Sequence, residues 1–169
     1  MATTDSLLTA EEYLRLPDNG CPTELVRGRI VPMNIPNFRH GKLCGRVAVP
    51  LGYYVQQHDL GHLLCNDSGL VTERDPDSVR GPDISFYSYS RIPKGNDPAG
   101  YANVAPEVAV EVRSPTDRWP KILEKVSEYL NAGVDLVYVI DAQSQTVFAY
   151  STDQPGTPLG LDAEMTFPP

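Results

Sequence analysis

Two acidic residues stand out because each lies among apolar and small residues. Asp83 follows a Gly-Pro pair and precedes an apolar run, and Glu111 lies within the run of residues 108–113. A carboxylate is costly in such surroundings unless it is paired, hydrogen-bonded or bound to a cation. If the two carboxylates converge, they can bind a hard divalent cation such as Mg²⁺ or act as a general acid and base; otherwise they are unrelated surface charges.

Alternation of side chains predicts that both carboxylates lie on β-strands. In residues 108–113 the three valines fall on one face and Glu111 falls on the other. In residues 83–87, Asp83 lies on the face opposite the two most apolar side chains, so each carboxylate is expected on the less apolar face. If these strands are neighbours in one sheet, Asp83 and Glu111 converge.

The order of several motifs resembles the Uma2 family of the PD-(D/E)XK nuclease superfamily. The matching segments are residues 23–30 (TELVRGRI), His40, residues 82–84 (PDI), residues 111–115 (EVRSP), Lys125 with Tyr129, residues 132–134 (AGV) and residues 138–141 (YVID). They extend over nearly the whole chain. The resemblance implies an α/β (α+β) fold with a restriction-endonuclease-like central mixed β-sheet flanked by helices. It also implies a metal-dependent endonuclease that hydrolyses DNA phosphodiester bonds.

The resemblance further implies a magnesium site, in which Mn²⁺ can substitute for Mg²⁺. Asp83 and Glu111 supply carboxylate oxygens, and the backbone carbonyl of Val112 completes the set of protein ligands. Because Mg²⁺ keeps several of its waters, two carboxylates and one carbonyl suffice. Such an ion polarises a phosphoryl oxygen and lowers the pKa of bound water.

The third catalytic group departs from the pattern of the superfamily. Arg113 stands where a lysine is usual, and an arginine cannot act as a neutral general base. Arg113 can still stabilise charge or hold a phosphate by a bidentate contact. Lys125, on the following helix, matches the lysine of the Uma2 pattern and is the preferred candidate. The alternative is that Lys125 is an ordinary solvated helix residue.

Two further residues are candidates for the same site. Glu24 occupies the Glu-Leu position of the family pattern, where it is either an additional metal or water ligand or a half-exposed strand glutamate. His40 begins an apolar helical stripe, where it is either a catalytic residue or a core or capping residue. The sequence leaves both pairs of alternatives open.

Charge and length limit the classes of function. The chain has 169 residues, with 14 Lys and Arg against 22 Asp and Glu and a formal net charge of −8. This balance disfavours a general affinity for nucleic acid or anionic membranes, so a nuclease must rely on a local basic patch and on its metal. We expect one nuclease domain over residues 1–152, followed by an irregular tail over residues 153–169.

The cellular compartment of the protein is predicted from two patterns that the sequence lacks. It has no apolar run of membrane-spanning length and no pattern of a signal peptide, so we expect a cytoplasmic protein without membrane contact. The three cysteines are far apart and odd in number, which favours buried, reduced thiols.

Periodicity and turn residues predict the remaining elements. The predicted helices cover residues 10–16, 40–51, with Pro50 kinking or ending the second, and 120–131. A tight hairpin is expected at residues 23–26 and 29–33, and a surface loop between residues 87 and 105. Further strands are expected at residues 61–65, 69–73, 135–141 and 146–151.

Three classes of function remain after these observations. The first is the DNA endonuclease, which the resemblance implies to be a homodimer, with the Thr146 strand as a possible edge for pairing. The second is a catalytically weak or inactive nucleic-acid-binding or regulatory module on a nuclease fold, which Arg113 in place of lysine favours. The third is a hydrolase of another phosphate ester or a purely structural homodimer, which the acidic composition favours.

Overall fold

Two β-sheets and three helices make up the computed structural model, which describes residues 7–18, 20–160 and 163–166. The helices are α1 (Ala10–Leu14), α2 (Phe38–Gln57) and α3 (Trp119–Asn131). The strands are β1 (Thr23–Val26), β2 (Arg29–Pro32), β3 (Gly61–Cys65), β4 (Leu70–Glu73), β5 (Ser78–Arg80), β6 (Ile84–Ser88), β7 (Val108–Arg113), β8 (Leu136–Asp141), β9 (Thr146–Ser151) and β10 (Gln154–Leu159). The predicted α/β class, with a mixed central sheet flanked by helices, is confirmed.

The central sheet has six strands in the order β10-β9-β8-β7-β6-β3. Its neighbours are antiparallel except for β7 and β8, which are parallel and are connected through α3. A parallel pair requires such a crossover, and α3 supplies it. The site-bearing strands β6 and β7 therefore lie in the middle of the sheet.

Both faces of strand β7 are buried, and the face that carries Glu111 is the less apolar of the two, as expected. Val108 and Val110 pack in one cluster with Val55 of α2, whereas Ala109 packs in another with Tyr129 of α3. Strands covered on both faces are typical of sheets between helix layers. Glu111, which shares a face with Ala109, is consequently surrounded by core rather than by solvent.

A second, smaller sheet is antiparallel and has four strands in the order β2-β1-β5-β4. Its β1–β2 hairpin turns at Arg27 and Gly28, both of which have positive φ, as a type I′ turn requires. The predicted hairpin is confirmed. At the start of α1, Thr9 and Glu12 form a capping box. Sequence reasoning missed the short strand β5, which joins this sheet next to β1.

Two predictions about proline-containing segments are wrong: an end of the second helix near Pro50, and an irregular structure for residues 154–159. Helix α2 continues through Pro50 to Gln57, because Pro50 lies on the exposed side while Leu51 and Val55 keep the apolar stripe packed on the sheet. That packing outweighs the lost backbone hydrogen bond. Residues 154–159 of the predicted irregular tail form β10, an outer strand of the sheet, where proline is tolerated. Residues 161–162 and 167–169 of that tail lie outside the described residues.

Strand β10 also changes the expected edge for dimerisation. It pairs with β9 on the side that the Thr146 strand was expected to offer, so β9 is an inner strand. The homodimer itself stays a prediction, as does the domain boundary at residue 152.

The three thiols differ in their exposure to solvent. Cys21 and Cys65 are exposed and Cys44 is half-buried, so the prediction of buried thiols is wrong for the first two.

Within the described part of the chain, none of the helices is both long and apolar enough to cross a bilayer.

Candidate active site

The register of strands β6 and β7 brings the two acidic residues together. Ile84 pairs with Val110, so the next step along this antiparallel ladder sets Asp83 opposite Glu111. Asp83 precedes the first residue of β6, where the ladder has ended, and its Oδ2 accepts a 2.6 Å hydrogen bond from the backbone N–H of Val112. The predicted convergence of the two carboxylates is therefore found in the structure.

Helix α2 supplies a second partner for Asp83. The Nε2 atom of His40 lies 2.8 Å from Oδ1 of Asp83, and both side chains are largely shielded from solvent. Asn37 caps the helix by accepting from the backbone N–H of His40, which fixes the start of α2. Hydrogen bonds with Asp83 and with Cys44 raise the pKa of His40 well above its ordinary value. His40 thus holds one oxygen of Asp83, and Val112 holds the other.

Glu111 lies at the base of the site in a buried position. Its Oε1 accepts a 2.6 Å hydrogen bond from the hydroxyl of Tyr129 and lies 3.3 Å from Nζ of Lys125. Burial raises the pKa of Glu111 to about 7 in spite of Lys125, and the nearby Asp83 carboxylate adds to the rise. A cation beside such a carboxylate would offset the cost of burying its charge.

Lys125 joins Glu111 to a buried chain of ionic groups. Its Nζ also lies 2.9 Å from Oε1 of Glu24, which is buried on β1 and not half-exposed as one alternative held. The other oxygen of Glu24 accepts from Nη1 of Arg80 at 2.9 Å. Burial opposes ionisation of Glu24, but Lys125 and Arg80 lower its pKa below the ordinary value. Lys125 is therefore not an ordinary solvated lysine.

Arg80 extends this chain into helix α3. Its Nε and Nη2 atoms donate to the two carboxylate oxygens of Glu128 at 2.6 and 2.7 Å, a bidentate geometry. Arg80 and Glu128 are both buried, so the pair ties α3 to the small sheet through β5. This network fixes the position of Glu24 and, through it, of Lys125.

Arg113 is directed to a different place from Glu111. Its Nη1 donates to Asp141 at 3.0 Å, its Nη2 donates to the carbonyl of Asp117, and its guanidinium stacks 5.1 Å from the ring centre of Trp119. Arg113 is also outside the set of residues that line the cleft described next. These contacts favour a structural role over the predicted phosphate contact.

A cleft of about 940 Å³ opens over the carboxylates. The predicted site residues that line it are Glu24, His40, Asp83, Glu111, Val112 and Lys125. The exposed cations Arg118 and Lys121, at the start of α3, lie along the same cleft. The cleft thus combines a buried anionic floor with cationic groups at its side.

The donor set of this floor fits a hard divalent cation. Asp83 and Glu111 offer carboxylate oxygens, the ligand type that Mg²⁺ prefers. The N–H and C=O groups of one strand residue point to the same side, so the Val112 carbonyl faces Asp83, as its N–H does. The metal site at Asp83, Glu111 and Val112 stays a prediction with which this chemistry is compatible.

A comparison with models of known protein families shows the family to which the chain belongs. The family model described as "Uma2: Putative restriction endonuclease" matches residues 10–165. The chain belongs to the Uma2 family. The resemblance recognised in the sequence motifs is thereby confirmed, over slightly more of the chain than those motifs cover.

A solved structure shares the fold of this Uma2 chain. It is the crystal structure of "a putative nuclease belonging to DUF820" from Anabaena variabilis, with a TM-score of 0.81 and 24% sequence identity. The match covers 95% of the Uma2 chain and 89% of the other chain. A comparison with curated proteins gave no match. The two chains therefore share one fold over nearly their whole lengths.

Sequence reasoning missed three polar residues around this Uma2 site. Arg80 and Glu128 form the buried pair, and Asp67 lines the cleft near Asp83. Burial, followed by the charge of Asp83, raises the pKa of Asp67. One signal was present for Glu128, which lies three residues after Lys125 and therefore neighbours it on the surface of α3. Tyr129, which belongs to the matching motif of α3, also donates to Glu111.

Proposed function

We propose that this Uma2 protein is a Mg²⁺-dependent endonuclease that hydrolyses the phosphodiester bonds of DNA. The observation that carries the proposal is the placement of Asp83, Glu111 and Lys125 on the floor of one cleft. A carboxylate pair beside an ammonium group suits the hydrolysis of an anionic ester, because it combines a cation site with a fixed positive charge.

The metal would be held by Asp83, Glu111 and the carbonyl of Val112. When bound, Mg²⁺ polarises the phosphoryl oxygen and makes water more acidic, and Mn²⁺ substitutes for it. The fit rests on oxygen donors just before β6 and within β7, which the pairing of these two strands brings together.

The remaining side chains orient these groups and stabilise charge. Tyr129 and Lys125 hold Glu111 through its Oε1 atom, which fixes the rotamer of this carboxylate. Lys125, held as an ammonium between two carboxylates, places positive charge where the phosphate gains negative charge. His40 orients Asp83 from the opposite side of the site.

The cleft supports DNA as the substrate despite the acidic composition. Arg118 and Lys121 are exposed beside the carboxylates and can contact phosphates that flank the bond to be cut. An electrostatic contact of this local kind weakens strongly as salt rises. A homodimer with one cleft for each strand of a duplex belongs to the same proposal.

The alternative of an inactive binding module loses its main argument in this geometry. It was motivated by Arg113 at the usual lysine position, but Lys125 reaches Glu111 from helix α3. An amine therefore lies beside the carboxylate pair even though the strand itself carries an arginine.

Cleavage of supercoiled plasmid tests the proposal. We expect nicking by the unaltered protein with Mg²⁺ or Mn²⁺ and none with EDTA. Asp83→Asn and Glu111→Gln should abolish nicking while circular dichroism shows a retained fold, whereas Asp97→Asn, in the exposed loop, should leave nicking unchanged. Nicking that survives in both site variants contradicts the proposal. DNA binding without turnover in either metal supports the inactive module instead.

A further inference from the structure

A second group of metal-ligating side chains lies next to the carboxylate pair. His40, Cys44 and Asp83 each offer one ligand atom, and these three atoms all lie within 4.8 Å of one another. His40 and Cys44 are four residues apart on α2, so one face of the helix presents both of them. Asp83 reaches the same point from the start of β6.

The donor chemistry of this group differs from that of the magnesium site. Imidazole nitrogen and thiolate sulfur are ligands of Zn²⁺ and related transition metals, whereas Mg²⁺ prefers oxygen. A tetrahedral zinc ion with ordinary bond lengths holds its ligand atoms about 3.3–3.6 Å apart. The Nε2 of His40 and Oδ1 of Asp83 are 2.8 Å apart, so a small separation of these two side chains admits the ion.

The two kinds of site share one carboxylate. Oδ2 of Asp83 accepts the backbone N–H of Val112, and Oδ1 contacts the imidazole of His40. An ion at His40 and Cys44 draws on the same carboxylate as an ion between Asp83 and Glu111. Two divalent charges beside one carboxylate repel each other, so the two ions compete.

We propose that His40, Cys44 and Asp83 form a binding site for a thiophilic divalent ion, best fitted by Zn²⁺, and that occupation of this site prevents Mg²⁺ from binding between Asp83 and Glu111. The first half stands on the His-Cys-Asp geometry alone. The second half rests on the magnesium site of the proposed function. Zinc is thus an inhibitor of this Uma2 protein, acting through Cys44.

Cobalt spectroscopy tests the first half. Co²⁺ added to the reduced full-length protein should produce thiolate-to-cobalt charge-transfer absorption together with the d–d bands of a tetrahedral ion. Cys44→Ser should remove the charge-transfer band, whereas Cys21→Ser, at an exposed position before β1, should leave it unchanged. A spectrum without a thiolate band, or one that Cys44→Ser does not alter, overturns the site.

Manganese binding tests the competition without depending on activity. Electron paramagnetic resonance of free Mn²⁺ gives its affinity for the protein with and without one equivalent of Zn²⁺. We expect zinc to lower the manganese affinity about tenfold or more in the unaltered protein, and to leave it unchanged in Cys44→Ser. An equal effect in both proteins, or none in either, overturns the competition. Failure of plasmid nicking alone would count against the nuclease and leave these two measurements valid.

Discussion

The ammonium group of Lys125 on helix α3 lies 3.3 Å from a carboxylate oxygen of Glu111 on strand β7. The same ammonium lies 2.9 Å from Glu24 on β1, in the other sheet. One lysine therefore links the small sheet to the proposed metal ligand on the central sheet. The strand carries Arg113 at the usual lysine position, and an amine reaches Glu111 from helix α3 instead.

Replacement of Lys125 by Met should reduce turnover and leave substrate binding nearly unchanged. The ammonium acts on the charge that develops during hydrolysis, so we expect kcat to fall about 10²–10³-fold with little change in KM. Steady-state cleavage of a short duplex measures both constants. Lys121→Met is the matched control on the same helix, and it should raise KM and lower the salt dependence while keeping kcat. If kcat falls in Lys121→Met and not in Lys125→Met, the role given to the Lys125 ammonium is contradicted.

Arg113→Met should destabilise the fold without removing catalysis. The change leaves Asp141 buried without its guanidinium partner and removes the contact with Trp119, so we expect a loss of about 1–3 kcal/mol in the free energy of unfolding. Urea unfolding measures this loss, and kcat at a temperature where the variant is folded should be close to that of the unaltered protein. An inactive variant of normal stability would instead make Arg113 a catalytic residue.

Glu128→Ala should be one of the most destabilising changes on α3. It leaves the buried guanidinium of Arg80 with Glu24 as its remaining carboxylate partner, and breaking a buried pair in this way costs about 3–5 kcal/mol. Glu124→Ala, at an exposed position one turn earlier, should change stability by no more than about 0.5 kcal/mol. Similar melting temperatures for the two variants would show that the Arg80–Glu128 pair contributes little.

Asp77 should make stability depend on pH between neutral and acidic conditions. Burial opposes its ionisation, but hydrogen bonds from Ala10, Asp75 and Arg74 lower its pKa below the ordinary value. Because the folded pKa is the lower one, the contribution is complete above the unfolded pKa, about 3.9, and is lost as pH falls through the folded value.

The variant Asp77→Asn tests whether the stabilising contribution of Asp77 is lost as the pH falls. At pH 7 we expect the variant to be about 1–3 kcal/mol less stable, and the difference should close as the pH falls below about 4. Thermal unfolding across this range measures the difference. Asp97→Asn, at an exposed position, serves as the control and should follow the unaltered protein at every pH. A difference in stability between Asp77→Asn and the unaltered protein that grows in acid would contradict this pH dependence.

The elements around the site could be predicted where a local pattern determined them. The three valines of β7 and the apolar stripe of α3 follow periods that the sequence displays directly, so Asp83, Glu111 and Lys125 were found from residue spacing and motif order. Strand pairing then followed from one assumption, that β6 and β7 are neighbours. The register confirms that assumption.

Contacts between distant segments could not be predicted in the same way. Arg80 and Glu128 are 48 residues apart and pair in the core, where the apolar pattern of α3 predicts no acidic residue. The direction of Arg113 depends on Asp141 of a neighbouring strand and on Trp119, so its place in the motif did not determine its contacts. Strand β10 contains prolines that usually end a strand, and only its outer position permits them.

A crystal of the protein soaked in Mn²⁺ tests the central claim most directly. Anomalous scattering locates the ion without any assumption about activity. We predict one strong peak between the carboxylates of Asp83 and Glu111, within bonding distance of the Val112 carbonyl and absent in Asp83→Asn. The absence of such a peak at millimolar Mn²⁺, or a peak that Asp83→Asn retains, would contradict the metal site and the hydrolysis built on it.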